Sequence, residues 1–188
     1  MQNCTYCVKL IDYVKQNETD SYNLIYSSSY ARDMKKIVFG ISPNDLKYYM
    51  YQILKCLEYT HSQGIMHRDI KTGNIVVNTH TKTVTVIDWG LAEYYIRNHR
   101  YNLKVASLYY KAPELLLKYR TYDYAIDLWG LGCLFAGSLF QKDHFFKGKD
   151  VDDQIYKIAE VLGGKGVFDF VKKYNTKVKF ANKRRLKK

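Results

Sequence analysis

Cysteine is scarce and poorly spaced for its usual structural uses. Cys4, Cys7, Cys56 and Cys133 do not make the dense pattern of a disulfide-stapled secreted domain. Cys4 and Cys7 form one C-x-x-C pair, but no second pair and no histidine lies at zinc spacing, so two ordinary thiols in a strand are expected, with metal or redox chemistry as the lesser alternative. The start of the chain lacks the basic-then-apolar segment of a secretory signal. The one long apolar run, residues 124–140, is shorter than the ~20 residues of a membrane span and contains Asp127. These absences point to an intracellular chain with no membrane segment.

Acidic residues are also few, 18 against 30 Lys and Arg, for a formal charge of +12. Nucleic acid is the reflex reading of such a charge, but its distribution argues against it. Lys177, Lys179, Lys183, Arg184, Arg185, Lys187 and Lys188 crowd the last twelve residues, where no acid occurs. Such a run reads as a solvated tail, with nuclear import or a nucleic-acid patch as the alternatives. Proline is rare, 2 residues against 19 tyrosines. The 188 residues make one domain or slightly more, and an apolar fraction of 47% is ample for a packed core.

The opening, to about Ser29, alternates short apolar runs with polar turns, as two strands joined through residues 15–20 would. A long amphipathic helix follows. Ser42 is a good N-cap, Pro43 suits the first helical position, and Asp45 favours the positive end of the dipole. Leu46, Met50, Ile53, Leu54, Leu57 and His61 recur at helical spacing, and Gly64 closes the helix. Residues 75–78 and 83–87 read as a hairpin around a polar turn. Residues 90–120 are irregular at a length that usually has a functional reason. Residues 124–139 are apolar all round, the mark of a helix surrounded by protein. Asp150 caps another helix, which Gly163 ends, and after Gly166 the chain drifts toward its basic tail.

The chemistry gathers in two loops flanking the hairpin. His67-Arg68-Asp69-Ile70-Lys71-Thr72-Gly73-Asn74 sets a base at two residues and an amide at five residues from an acid, and Asp88-Trp89-Gly90 follows the hairpin. Centring the turn near Thr81 puts Asn74 opposite Asp88, with Cβ atoms ~5 Å apart. An amide oxygen and a carboxylate there suit a hard cation. Phosphoryl transfer needs this set: a carboxylate to orient the attacking hydroxyl, a lysine to offset charge on the moving phosphate, and oxygen ligands for Mg²⁺. The bland alternative for Asp69 and Lys71 is a loop salt bridge.

With the later Ala112-Pro113-Glu114, these motifs resemble the protein-kinase signature in order and spacing. The match is closer to the catalytic alpha subunits of casein kinase II. It rests on Ile65-Met-His-Arg-Asp-Ile-Lys71, Ile87-Asp-Trp-Gly-Leu-Ala-Glu93, Val105-Ala-Ser107, Pro113-Glu-Leu-Leu116 and Tyr122-Asp-Tyr124, with Trp89 where most kinases have Phe. The resemblance implies an α+β protein-kinase-like fold, a mostly helical C-terminal lobe with a partial antiparallel N-lobe remnant. It divides the chain into N-lobe strands and hinge (1–29), C-lobe (30–175) and basic tail (176–188). It implies an ATP- and Mg²⁺-dependent serine/threonine kinase acting on protein substrates with acids near the target, with a casein kinase II beta regulatory subunit as partner, in the nucleus or cytoplasm.

By the same resemblance Asp69 is the catalytic base and Lys71 neutralises the γ-phosphate. Asn74 and Asp88 bind Mg²⁺, Val76 and Ile87 floor the adenine site, and Ser27, Ser28 and Ser29 form the hinge that reads the base. Lys104 and Lys111 read substrate acids, though exposed lysines are common in so basic a chain. Arg68, Glu114 and Asp127 are structural, Asp127 by bonding the backbone of the catalytic loop.

The chain also departs from that pattern. No G-x-G-x-x-G occurs, and Lys9, 17 residues before Tyr26, leaves no room for the helix that should follow an ATP lysine. Relative to the family the chain is therefore expected to begin near the fourth small-lobe strand and to stop before the last helices, which supply the arginine partner of Glu114. Thr72 replaces a Pro and Leu108 an anion-binding Arg, and the N-terminal region that holds the family's activation segment open is missing. The rival reading is a kinase-like interaction module without catalysis.

Overall fold

The computed structural model describes residues 3–16, 21–27, 31–176, 178, 180 and 182–187. The chain divides into two compact units, residues 1–63 with 72–88, and residues 64–71 with 89–188.

The first unit is organised by α2 (Pro43–Ser62). Its start is written locally: Ser42 Oγ accepts the Asp45 N–H at 3.1 Å, and Pro43 needs no donor in the first turn. Leu46, Met50, Ile53 and Leu57 fall on the buried face, but Leu54, expected on the same stripe, is exposed and His61 is only half-buried. At the other end Gly64 adopts φ +77°, which favours glycine.

Three strands pair beside this helix in the order β3 (Arg32–Asp33), β5 (Ile75–Asn78), β6 (Thr83–Val86), with the four-residue α1 (Met34–Ile37) following β3. Ile75, Val77, Val84 and Val86 form the buried face of the β5–β6 hairpin. Buried Gln52 of α2 clamps it, donating to the Lys82 carbonyl and accepting from the Val84 N–H, both at 2.8 Å. The N-terminal segment adds alongside β6, through Val8 N–H to Val86 O at 3.0 Å and Val86 N–H to Tyr6 O at 2.7 Å. The expected opening strands are β1 (Leu10–Lys15) and β2 (Tyr22–Tyr26), antiparallel with a register shift between Leu10 and Asp12.

The second unit contains the short pair β4 (Ile65–Met66) and β7 (Glu93–Tyr94), then α3 (Pro113–Leu116), α4 (Ala125–Leu139), α5 (Val151–Leu162) and α6 (Lys165–Tyr174). Met66, Tyr101, Val105, Ala112, Leu115, Tyr122 and Ile126 make one core cluster. Asp150 caps α5 as expected, its carboxylate accepting the Asp153 N–H at 2.8 Å, and Gly163 ends it at φ +87°.

Three expectations are corrected here. The α4 helix is not enclosed on all sides: Leu128, Phe135 and Leu139 are exposed. The chain does not drift after Gly166 but forms α6, amphipathic and ended by Asn175 in the left-handed region. The basic end is not simply solvated. Arg185 pairs with Asp153 at 2.8 Å and Glu160 at 2.7 Å, and Leu186 is fully buried. A charge run read in isolation hides these partners, which lie on α5.

Candidate active site

The loop between β4 and Lys71 is held from below by an acid in an apolar helix. Asp127, 1% exposed on α4, accepts the N–H groups of His67 at 2.8 Å and Arg68 at 2.7 Å, one on each carboxylate oxygen. A buried carboxylate is tolerated because these donors replace water. Arg68 takes φ +67°, unfavourable for a side chain with a Cβ, and is pinned by Nε to Leu91 O at 2.6 Å and Nη1 to Tyr122 Oη at 3.2 Å. The fully buried His67 accepts the Asp69 N–H on Nδ1 at 3.2 Å, so that nitrogen carries no proton, and its ring rests on Trp89 at 4.5 Å.

These supports present Asp69. Its Oδ2 accepts from Lys71 Nζ at 2.6 Å, and its Oδ1 from Ser107 N–H at 3.1 Å and Ser107 Oγ at 3.3 Å. Lys71 Nζ also reaches Ser107 Oγ at 3.2 Å, closing a triangle of acid, ammonium and hydroxyl. Sequence gives Ser107 no role beyond its place in the Val105-Ala-Ser107 motif, because it lies 38 positions from Asp69. Ala106 beside it sits at φ +59°. Gly130 of α4 allows the close approach: a Cβ there would stand 2.7 Å from the Ile70 carbonyl oxygen.

Lys104 is exposed, whereas the ammonium of Lys111 turns back onto the carbonyls of Leu103 and Val105, and burial lowers its pKa. Glu114 opens α3 half-buried, and burial raises its carboxyl above the usual range. No ion pair to it occurs among the described residues.

In the other unit the hairpin mouth carries the oxygen donors. The expected facing of Asn74 and Asp88 is corrected. Ile75 pairs with Val86 and the Ile87 N–H donates to Asn74 O at 2.9 Å, so Asn74 faces Ile87 and Asp88 stands one residue further on. The loop holds four residues, 79–82, because the Asn78 side chain accepts from His80 N–H at 3.0 Å and Thr81 N–H at 3.1 Å. Asp88 leaves the strand at φ +61° and is exposed; Asn74 is buried. An amide oxygen and a carboxylate one step apart at the strand end are the donor types a hard divalent cation takes, so the residues present fit Mg²⁺. Val76 and Ile87 share the half-buried face of the hairpin, opposite the valine core. Ser27 bonds Lys9 through backbone and side chain; Ser28 and Ser29 lie outside the described residues.

No helix among the described residues is long and apolar enough to cross a membrane. The family model described as protein kinase domain matches residues 1–185. That match takes in the strained, clamped loop, the oxygen donors at the hairpin mouth and the α+β framework of helices and small antiparallel sheets around them, and the chain belongs to the protein kinase domain family.

Proposed function

We propose that this chain is a casein kinase II alpha-like catalytic subunit that moves the γ-phosphate of ATP to Ser or Thr in acidic surroundings. The observation that carries this reading is the Asp69 carboxylate held between Lys71 and Ser107. The substrate hydroxyl oxygen bonds to the γ-phosphorus, the bond to the β,γ-bridging oxygen breaks, and the hydroxyl proton passes to Asp69. Lys71, within hydrogen-bond reach of Asp69, offsets charge on the transferred group. Mg²⁺, held by Asn74 and Asp88, would neutralise phosphate charge. Val76 and Ile87 offer adenine an apolar face, and the hinge at Ser27 reads its edge.

Of the two lysines offered for substrate acids, Lys104 is the one whose ammonium this reading places on the peptide, because Lys111 is engaged with carbonyls behind it. Arg68, Asp127 and Glu114 support the loops. Acidic protein substrates and a casein kinase II beta-type subunit are the partners that go with the reading, in the nucleus or cytoplasm.

The test is transfer of labelled γ-phosphate to matched peptides with Ser, Thr or Tyr acceptors and acidic, neutral or basic flanks. Labelling confined to acidic Ser and Thr peptides, and reduced by Lys104→Glu, is expected. Labelling of tyrosine or of basic peptides overturns the substrate class. Mg²⁺-ATP at 100 times its dissociation constant should add about 2.7 kcal/mol of stability; absence of both shift and transfer favours the interaction-module reading.

A further inference from the structure

Three of the four cysteines meet inside the first unit. Cys4 and Cys7 come from the N-terminal segment and Cys56 from the buried face of α2. Cys7 Sγ lies 3.2 Å from Cys56 Sγ and Cys4 Sγ 3.8 Å from it, and all three sulfurs fall within 4.8 Å of one another. Their exposures are 2%, 3% and 0%. The expected placement of the two thiols in a strand is corrected: Cys4 lies outside any strand, and Cys7 makes a single bridge to Val86.

A lone buried cysteine is an ordinary small apolar residue. Three converging on one point set sulfur against sulfur where a packed core puts carbon. The backbone builds this convergence. Hydrogen bonds on either side of Cys7, from Val86 N–H to Tyr6 O and from Val8 N–H to Val86 O, fix it against β6, and the turn at residues 5–6 brings Cys4 back beside it. A tetrahedral zinc ion with Zn–S bonds of about 2.3 Å holds its thiolates about 3.8 Å apart, inside the range of spacings seen here. Soft thiolates prefer zinc to the hard cations that suit Asn74 and Asp88.

We propose that Cys4, Cys7 and Cys56 form a zinc site that ties the N-terminal segment to α2. A pocket of about 400 Å³ lined by Cys4, Tyr6, Lys55, Glu58 and Tyr59 lies beside the cluster, and in this proposal it supplies the fourth coordination position and the entry path. The cysteines bind as thiolates, and any thiol protons they carry pass to solvent. The ion is structural, so its binding energy adds to folding of the first unit.

The test is titration of the full chain, with thiols reduced and metal removed, with Zn²⁺ against a chromophoric chelator, and separately with Co²⁺. One ion per chain, a sulfur-to-cobalt charge-transfer band and a zinc-dependent rise in Tm are expected. Changes outside the ligand shell of metal sites already cost about 10–100-fold in affinity, so Cys4→Ser, Cys7→Ser and Cys56→Ser should each lose at least that much. Cys133→Ser should bind as the wild type does; that thiol is buried in α4 with its pKa pushed up to about 12. No uptake, uptake unchanged in Cys56→Ser, or a Cys7–Cys56 disulfide in the chain isolated without reductant overturns the proposal. Should a serine variant fail to fold, the wild-type cobalt spectrum decides alone, and lack of a charge-transfer band refutes the site.

Discussion

Asp127 and Arg68, 59 positions apart, are joined by a 2.7 Å hydrogen bond from the Arg68 N–H to the Asp127 carboxylate. It joins the side-chain bonds to Leu91 and Tyr122 in restraining a residue whose backbone is left-handed. Asp127→Ala strands two buried N–H groups and should destabilise the chain by about 3–5 kcal/mol, the range for breaking a buried, charge-assisted pair. Asp127→Asn keeps one acceptor and should cost about 1–3 kcal/mol. Denaturant unfolding of the two variants checks both figures.

The contact of α4 with the same loop makes Gly130 sensitive. A methyl group there meets the Ile70 backbone rather than a yielding side chain. Gly130→Ala should cost about 1–3 kcal/mol by overpacking and lower phosphate transfer, because the displaced segment carries Asp69 and Lys71. Gly132, an exposed helical position whose added Cβ meets nothing within 4 Å, is the control: Gly132→Ala should leave transfer near wild type and raise stability by up to about 1 kcal/mol.

At the basic end, Leu186→Ala should cost about 2–4 kcal/mol, far more than loss of a solvated residue. Arg185 acts through charge. Its guanidinium holds Asp153 and Glu160 below the usual carboxylate range. Carboxyls depressed in the folded state add stability that is present above their unfolded pKa values, about 4, and lost as pH falls through the folded ones. The Tm deficit of Arg185→Ala should therefore be present at pH 7 and shrink below about pH 4.

Glu114 has the opposite sign. Burial raises its carboxyl, so its contribution is most favourable below the unfolded pKa and is lost as pH rises through the folded value. Glu114→Gln should melt higher than wild type at neutral pH, by about 2–4 °C for each kcal/mol, and lose that advantage near pH 4. Thermal melts across pH decide it.

What could be read from the sequence was what local chemistry writes. The Ser42 cap, the α2 stripe and the Asp150 cap need only neighbours in the chain, and the valines of the hairpin show its alternation. The register slipped by one because the expected turn centred on Thr81, whereas the 79–82 loop is symmetric about the bond between His80 and Thr81, which polarity does not reveal, so that Ile75 pairs with Val86. The left-handed turn at Asp88 is equally invisible. Helix α6 was hidden by Gly166 near its start and by surrounding lysines. The partners of Ser107, Arg185 and Cys56 are each more than 20 positions away, so only the folded chain shows that they meet.

Asp69 is the residue on which the catalytic account stands. Single-turnover transfer of labelled γ-phosphate to an acidic Ser peptide, at saturating Mg²⁺-ATP, compares the wild type with Asp69→Asn. The account predicts a rate about 10²–10⁴ lower for the variant, with an unchanged thermal shift by Mg²⁺-ATP. Equal transfer rates from the two proteins would contradict it.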